Sequence, residues 1–193
     1  MCDDFSEKHN FSGACLVKEG DDVIFSHAYG VAHRGFNIPN RLNTMFDTAS
    51  ITKVFTATAI LILIEKISGQ DYRKFVTDNI FVPIGMLNTK FCAMDEVNAN
   101  MLFSPHCKFA KPFNCGESSV NATLRKGYAF EFVEINGNVF CMRKEGLNDG
   151  VGAMLSYYPE IDATIIILSN QTMSNGDCDV WEMHRKIQTI IRA

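Results

Sequence analysis

The sequence predicts an α+β fold, an antiparallel sheet flanked by helices. Three observations carry this. Short alternating runs read as strands near both ends of the chain, a long uncharged apolar run between them reads as a helix, and residues 180–191 carry an amphipathic stripe. A chain of 193 residues, nearly half of it hydrophobic, fits a single domain spanning 1–193 with a substantial core.

Residues 11–18 and 22–29 read as two strands joined by a turn at Glu19-Gly20-Asp21-Asp22, with Leu16, Val23 and Phe25 supplying apolar and β-branched side chains. Asn37-Ile38-Pro39-Asn40 reads as a loop leading toward Ser50. From Val54 to Ile64 no residue is charged, and apolar side chains fall on every side, so a helix here is expected to be buried all round. Gly69 ends it, because glycine takes the left-handed conformation cheaply. At about 1.5 Å per residue the run is too short to span a bilayer. Asp71 is placed to cap a second helix from Tyr72 to about Phe81, closed by Pro83.

Residues 88–126 show no period and contain Pro105, Pro112 and a polar cluster at 114–121, which predicts mostly loop. Strands are then expected over 128–135, 139–144, 150–158 and 163–168. The Asn136-Gly137 pair is the strongest hairpin signal in the chain. Residues 159–162 form the last connection, and Val180, His184, Ile187 and Ile191 line one stripe of a terminal helix.

The first turn of the central helix is unusual. Ser50 stands where an N-cap belongs, yet the residue three further on is Lys53, where a capping box would carry Glu or Gln. A cation at the positive end of the helix dipole contributes nothing to the helix. Spacing of i, i+3 sets the Ser50 hydroxyl and the Lys53 amine on one face, one turn apart. An amine that can shed its proton beside a serine is a general base beside a nucleophile, and the helix end offers N–H groups to a developing oxyanion.

Composition excludes several function classes. A net charge of −4 and the lack of a basic stripe argue against a nucleic-acid partner. The five histidines and seven cysteines are dispersed without ligand spacing, so no metal is expected. An odd number of scattered cysteines suits reduced thiols. The acidic start has no apolar core of a signal peptide, which gives a cytoplasmic expectation with no membrane span.

Several blocks resemble one family. They are Phe-Ser-Gly-Ala-Cys-Leu-Val-Lys (11–18), Tyr-Gly-Val-Ala-His-Arg (29–34), Phe-Asp-Thr-Ala-Ser-Ile-Thr-Lys (46–53) and Ile-Phe-Val-Pro-Ile-Gly-Met-Leu-Asn-Thr (80–89). Ser-Pro-His (104–106), Gly-Tyr-Ala-Phe-Glu-Phe (127–132) and the run from Leu155 to Asn170 continue the series. In order and content they are similar to the serine β-lactamase-related hydrolases: class C β-lactamases, D-alanyl-D-alanine carboxypeptidases and related esterases. Ser-x-x-Lys is a motif of the related penicillin-recognising enzymes. The resemblance implies a Ser50 acyl-enzyme with Lys53 as base, no cofactor, and a small-molecule or peptide substrate such as a β-lactam, a D-Ala peptide or an ester. It also implies that Lys144-Glu145-Gly146 takes the place of the family's third motif, with Gly150-Val151 following at a family-like distance. Lys144 would then hold a substrate carboxylate, Gly146 would admit the substrate backbone, and the amides of Ser50 and Leu147 would form the oxyanion hole.

The chain departs from the family between the two helices. The segment carrying Tyr-x-Asn or Ser-x-Asn, and with it most of the all-helical domain, is absent, and no Tyr-x-Asn occurs anywhere. Ser119-Val120-Asn121 has the Ser-x-Asn form but stands in the loop region. Three readings therefore stay open: an acyl-transfer hydrolase, a non-catalytic relative that binds a ligand or partner in the old cleft, and a shortened remnant. Loss of a helical domain also predicts exposed apolar surface and self-association.

Overall fold

The computed structural model describes residues 2–87, 122–171 and 180–192. The loop expected over most of 88–126, with Ser119-Val120-Asn121, falls largely outside the described residues. The chain divides into two compact units, Met1–Val54 with His106–Ala193, and Phe55–Pro105.

The first unit is built on a seven-stranded sheet. Helix α1 (Cys2–His9) precedes β1 (Gly13–Glu19) and β2 (Asp22–Tyr29), and β3 (Val31–His33) with β4 (Ile38–Pro39) forms a separate small hairpin. The later strands are β5 (Ala122–Gly127), β6 (Phe130–Ile135), β7 (Asn138–Asn148), β8 (Val151–Tyr158) and β9 (Ala163–Ser169), before the terminal helix. The order across the sheet is β2-β1-β9-β8-β7-β6-β5, antiparallel throughout. The N-terminal hairpin thus closes on the last strand, and Ser169 Oγ donates to the Ser12 carbonyl at 2.9 Å.

One sheet face carries the core. Cys15, Val17, Met154, Tyr158, Ile165 and Ile167 alternate inward and pack with Phe5 and Phe11 and with Val180, Met183 and Ile187 of the terminal helix. Each such side chain contributes about 1.5–3 kcal/mol by leaving water. In β9 the intervening Ile166 and Leu168 are half-buried as well, as expected for a central strand. Against the other face lies a 3-10 turn, Ala49–Ile51, which contacts β7 and β8 and buries Ile51.

The second unit holds most of α2 (Thr52–Ser68) and then α3 (Tyr72–Val76), which continues as a wider turn over Thr77–Phe81. Asp71 caps α3 as expected, accepting from the amides of Arg73 at 3.0 Å and Lys74 at 3.2 Å. Gly69, at φ +65°, follows α2. One expectation fails here. The helix predicted to be buried all round buries Val54 alone, and Phe55, Ile60, Ile62, Leu63 and Ile67 are exposed. A helix apolar on every side needs neighbours on every side, and the described residues do not provide them.

Other boundaries also move. α1 and the β3–β4 hairpin form where no element was expected, and residues 122–126, read as loop, lie in β5. β7 runs four residues beyond Lys144, to a turn at Asp149-Gly150. The terminal helix, α4 (Val180–Ile191), buries Val180, His184 and Ile187 of its predicted stripe together with Met183 and Gln188. No helix among the described residues is long and apolar enough to cross a membrane.

Candidate active site

Ser50 is not an N-cap. It lies inside the 3-10 turn that precedes α2, and the residue before the turn, Thr48, makes no side-chain cap. The turn is tied down by local bonds: Ala49 N donates to Asp47 Oδ1 at 2.7 Å, Ile51 N to the Thr48 carbonyl at 3.0 Å, and the hydroxyls of Thr48 and Thr52 are 3.1 Å apart. Ala49 takes φ +44°, a left-handed conformation that costs a non-glycine residue about 1–2 kcal/mol. Strain therefore sits beside the serine.

The predicted pair is present. Lys53 Nζ donates to Ser50 Oγ at 2.9 Å. When the amine is deprotonated, the same line carries the hydroxyl proton the other way, which is the geometry a general base needs. The pair is solvent-accessible rather than sequestered: Lys53 is exposed and Ser50 half-buried.

Strand β7 brings Gly146 to the turn. A Cβ on Gly146 would overlap the Thr48 carbonyl oxygen and come within 3.3 Å of Ala49 Cβ. Glycine at 146 therefore admits the Ser50 turn itself. Lys144, two residues back, shares that side of the strand by the two-residue alternation and is half-buried. Leu147 is exposed and pairs with Gly152 of β8. The β6–β7 ladder ends at Glu131 opposite Arg143, so residues 144–148 run on past β6 with β8 as their described ladder partner.

The hairpin between β5 and β6 ends beside this edge. Gly127 pairs with Phe130, and the two turn residues, Tyr128 and Ala129, both have positive φ, +52° and +66°. Sequence reasoning missed this turn, because Tyr-Ala lacks the chemistry of a two-residue turn. It also missed the reach of β7, although Asp149-Gly150 is a hairpin signal of the kind used at Asn136-Gly137.

No group of three His, Cys, Asp or Glu residues among those described could hold a metal ion. Cys15 and Cys141 are buried.

Comparisons with known proteins bear on the N-terminal stretch and on the fold. The Beta-lactamase family model matches residues 2–66, the stretch that contains Ser50 and Lys53. A penicillin-binding protein of Bacillus subtilis (strain 168) is 42% identical over 60 residues, 31% of this chain and 13% of the length of that relative. The solved penicillin-binding protein from Bacillus halodurans superposes with a TM-score of 0.62 at 15% identity, covering 97% of this chain and 98% of that one, a likeness of fold. The family match is thus confined to the N-terminal third of the chain, and the likeness to the solved protein is one of fold.

Proposed function

We propose that the chain is an acyl-transfer hydrolase in which Ser50 forms an acyl-enzyme and Lys53 takes the serine proton. The observation that supports this most is the 2.9 Å contact between Lys53 Nζ and Ser50 Oγ on a strained turn. In this reading the amides of Ser50 and Leu147 stabilise the oxyanion. Lys144 holds a carboxylate of the substrate, which is an ester, a β-lactam or a D-Ala peptide. Gly146 serves the site by letting the Ser50 turn close on β7.

With no Tyr-x-Asn in the sequence, deacylation is the step expected to suffer, since a positioned acid–base group typically contributes 10²–10⁴-fold. An activated ester asks little of a leaving-group acid, so the first turnover is expected to be fast. Stopped-flow hydrolysis of a p-nitrophenyl ester, with intact-mass detection of the adduct, tests the proposal. A burst near one equivalent followed by slow release is expected. Neither adduct nor release would turn the reading to a non-catalytic relative, which the exposure of Lys53 favours.

A further inference from the structure

We propose that the β3–β4 hairpin and the turn after it, residues 30–46, form a peripheral docking surface for an anionic lipid bilayer. The stretch contains Arg34, Arg41 and His33 and no Asp or Glu, in a chain whose net charge is −4. Four large apolar residues are exposed within it: Phe36 (77%), Ile38, Leu42 (63%) and Met45 (97%). Single exposed apolar residues are ordinary. Four within ten residues of sequence, with the exposed Arg34 and Arg41 among them, put apolar and basic side chains on one short exposed stretch.

The backbone beneath the patch is tied down. Asn40 is buried, and its Nδ2 donates to Ser12 Oγ at 3.0 Å and to the Tyr29 carbonyl at 2.8 Å, while its amide donates to the Gly30 carbonyl at 3.0 Å. At the tip Phe36 N donates to His33 Nδ1 at 3.3 Å, Asn37 takes φ +50°, and the His33 and Phe36 rings lie 4.7 Å apart. Phe36 is thus exposed on an ordered turn, and little order remains to be imposed on docking.

Charge selects the occupant. Guanidinium groups pair with phosphate, and apolar side chains a few residues away fit the boundary between headgroups and acyl chains. Each arginine near an anionic surface is worth about fivefold in binding, and salt screens that part. With no membrane-crossing helix among the described residues, attachment by such a patch is peripheral. The docking stands independently of the acyl chemistry at Ser50.

The test is co-sedimentation of the whole chain with vesicles of phosphatidylcholine alone, or of phosphatidylcholine and phosphatidylglycerol in equal parts, at low and high salt. Binding is expected only with phosphatidylglycerol, weakened by salt. It should fall by about twentyfold or more in Arg34→Glu/Arg41→Glu and clearly in Phe36→Ser/Met45→Ser, with thermal unfolding unchanged. Lys8→Glu, a charge reversal at an exposed site on α1, should bind nearly as the wild type. No binding to phosphatidylglycerol vesicles, or equal loss in Lys8→Glu and the arginine variant, overturns the proposal. So does a Phe36→Ser/Met45→Ser variant that loses self-association in sedimentation velocity while binding vesicles normally, which would make the face a protein interface.

Discussion

The carbonyl oxygen of Thr48 occupies the space that a Cβ on Gly146 would need, so the turn bearing Ser50 lies directly on β7. Gly146→Ala must push that turn away, and overpacking of this kind costs about 1–3 kcal/mol. The expected outcome is a lower thermal midpoint together with at least a tenfold slower reaction of Ser50 with an activated ester. A variant that is as stable and as reactive as the wild type would show that the contact is dispensable.

A pH dependence follows from the buried pair beneath α4. Tyr158 OH lies 3.0 Å from His184 Nε2, and burial pushes the Tyr158 phenol up, which keeps it neutral. Burial first, then Arg143 of β7 and Arg185 of α4, hold His184 down to about 4 from an ordinary 6.5. Between those values the unfolded chain binds a proton that the folded chain refuses. Stability is therefore full above the upper value and is lost as pH falls toward the lower, by up to about 3 kcal/mol. Urea midpoints across that range should show the slope in the wild type and much less of it in His184→Gln. Equal slopes would remove His184 from the account.

The strained hairpin gives a prediction of opposite sign. Ala129 takes φ +66°, where the next hairpin of the same chain uses Gly137 at φ +84°. Ala129→Gly should relieve the left-handed cost and raise stability by roughly 1 kcal/mol, read from chemical denaturation. A fall in stability would mean that the Ala129 methyl makes packing worth more than the strain.

Exposed apolar residues on α2 lead us to expect self-association. Sedimentation at high concentration should show species above the monomer, reduced by Ile62→Glu/Leu63→Glu. A sharp monomer peak for the wild type would contradict this.

The sequence was most legible where local chemistry agreed with tertiary structure. Glu19 and Asp22 close the β1–β2 turn as read, Asp71 caps α3, and Asn136-Gly137 makes its hairpin. The i, i+3 spacing sets Ser50 and Lys53 on one face, one turn apart, and their side chains meet at 2.9 Å. Other features depend on contacts that no local pattern carries. A serine N-cap and a 3-10 turn look alike in one dimension, so the strained Ala49 was hidden. Apolar residues on all sides of α2 say that cover is needed, not that it is present. The hairpin at Tyr128-Ala129 runs against turn propensity, and only the pairing of β5 with β6 reveals it.

The account rests on Ser50 as the nucleophile, and the most direct measurement is reaction with a fluorophosphonate probe followed by intact-mass analysis and peptide mapping. A single adduct is expected, mapped to Ser50, absent in Ser50→Ala and formed at least about a hundredfold more slowly near neutral pH in Lys53→Met. Labelling that persists in Ser50→Ala, or that proceeds at the wild-type rate in Lys53→Met, would contradict it.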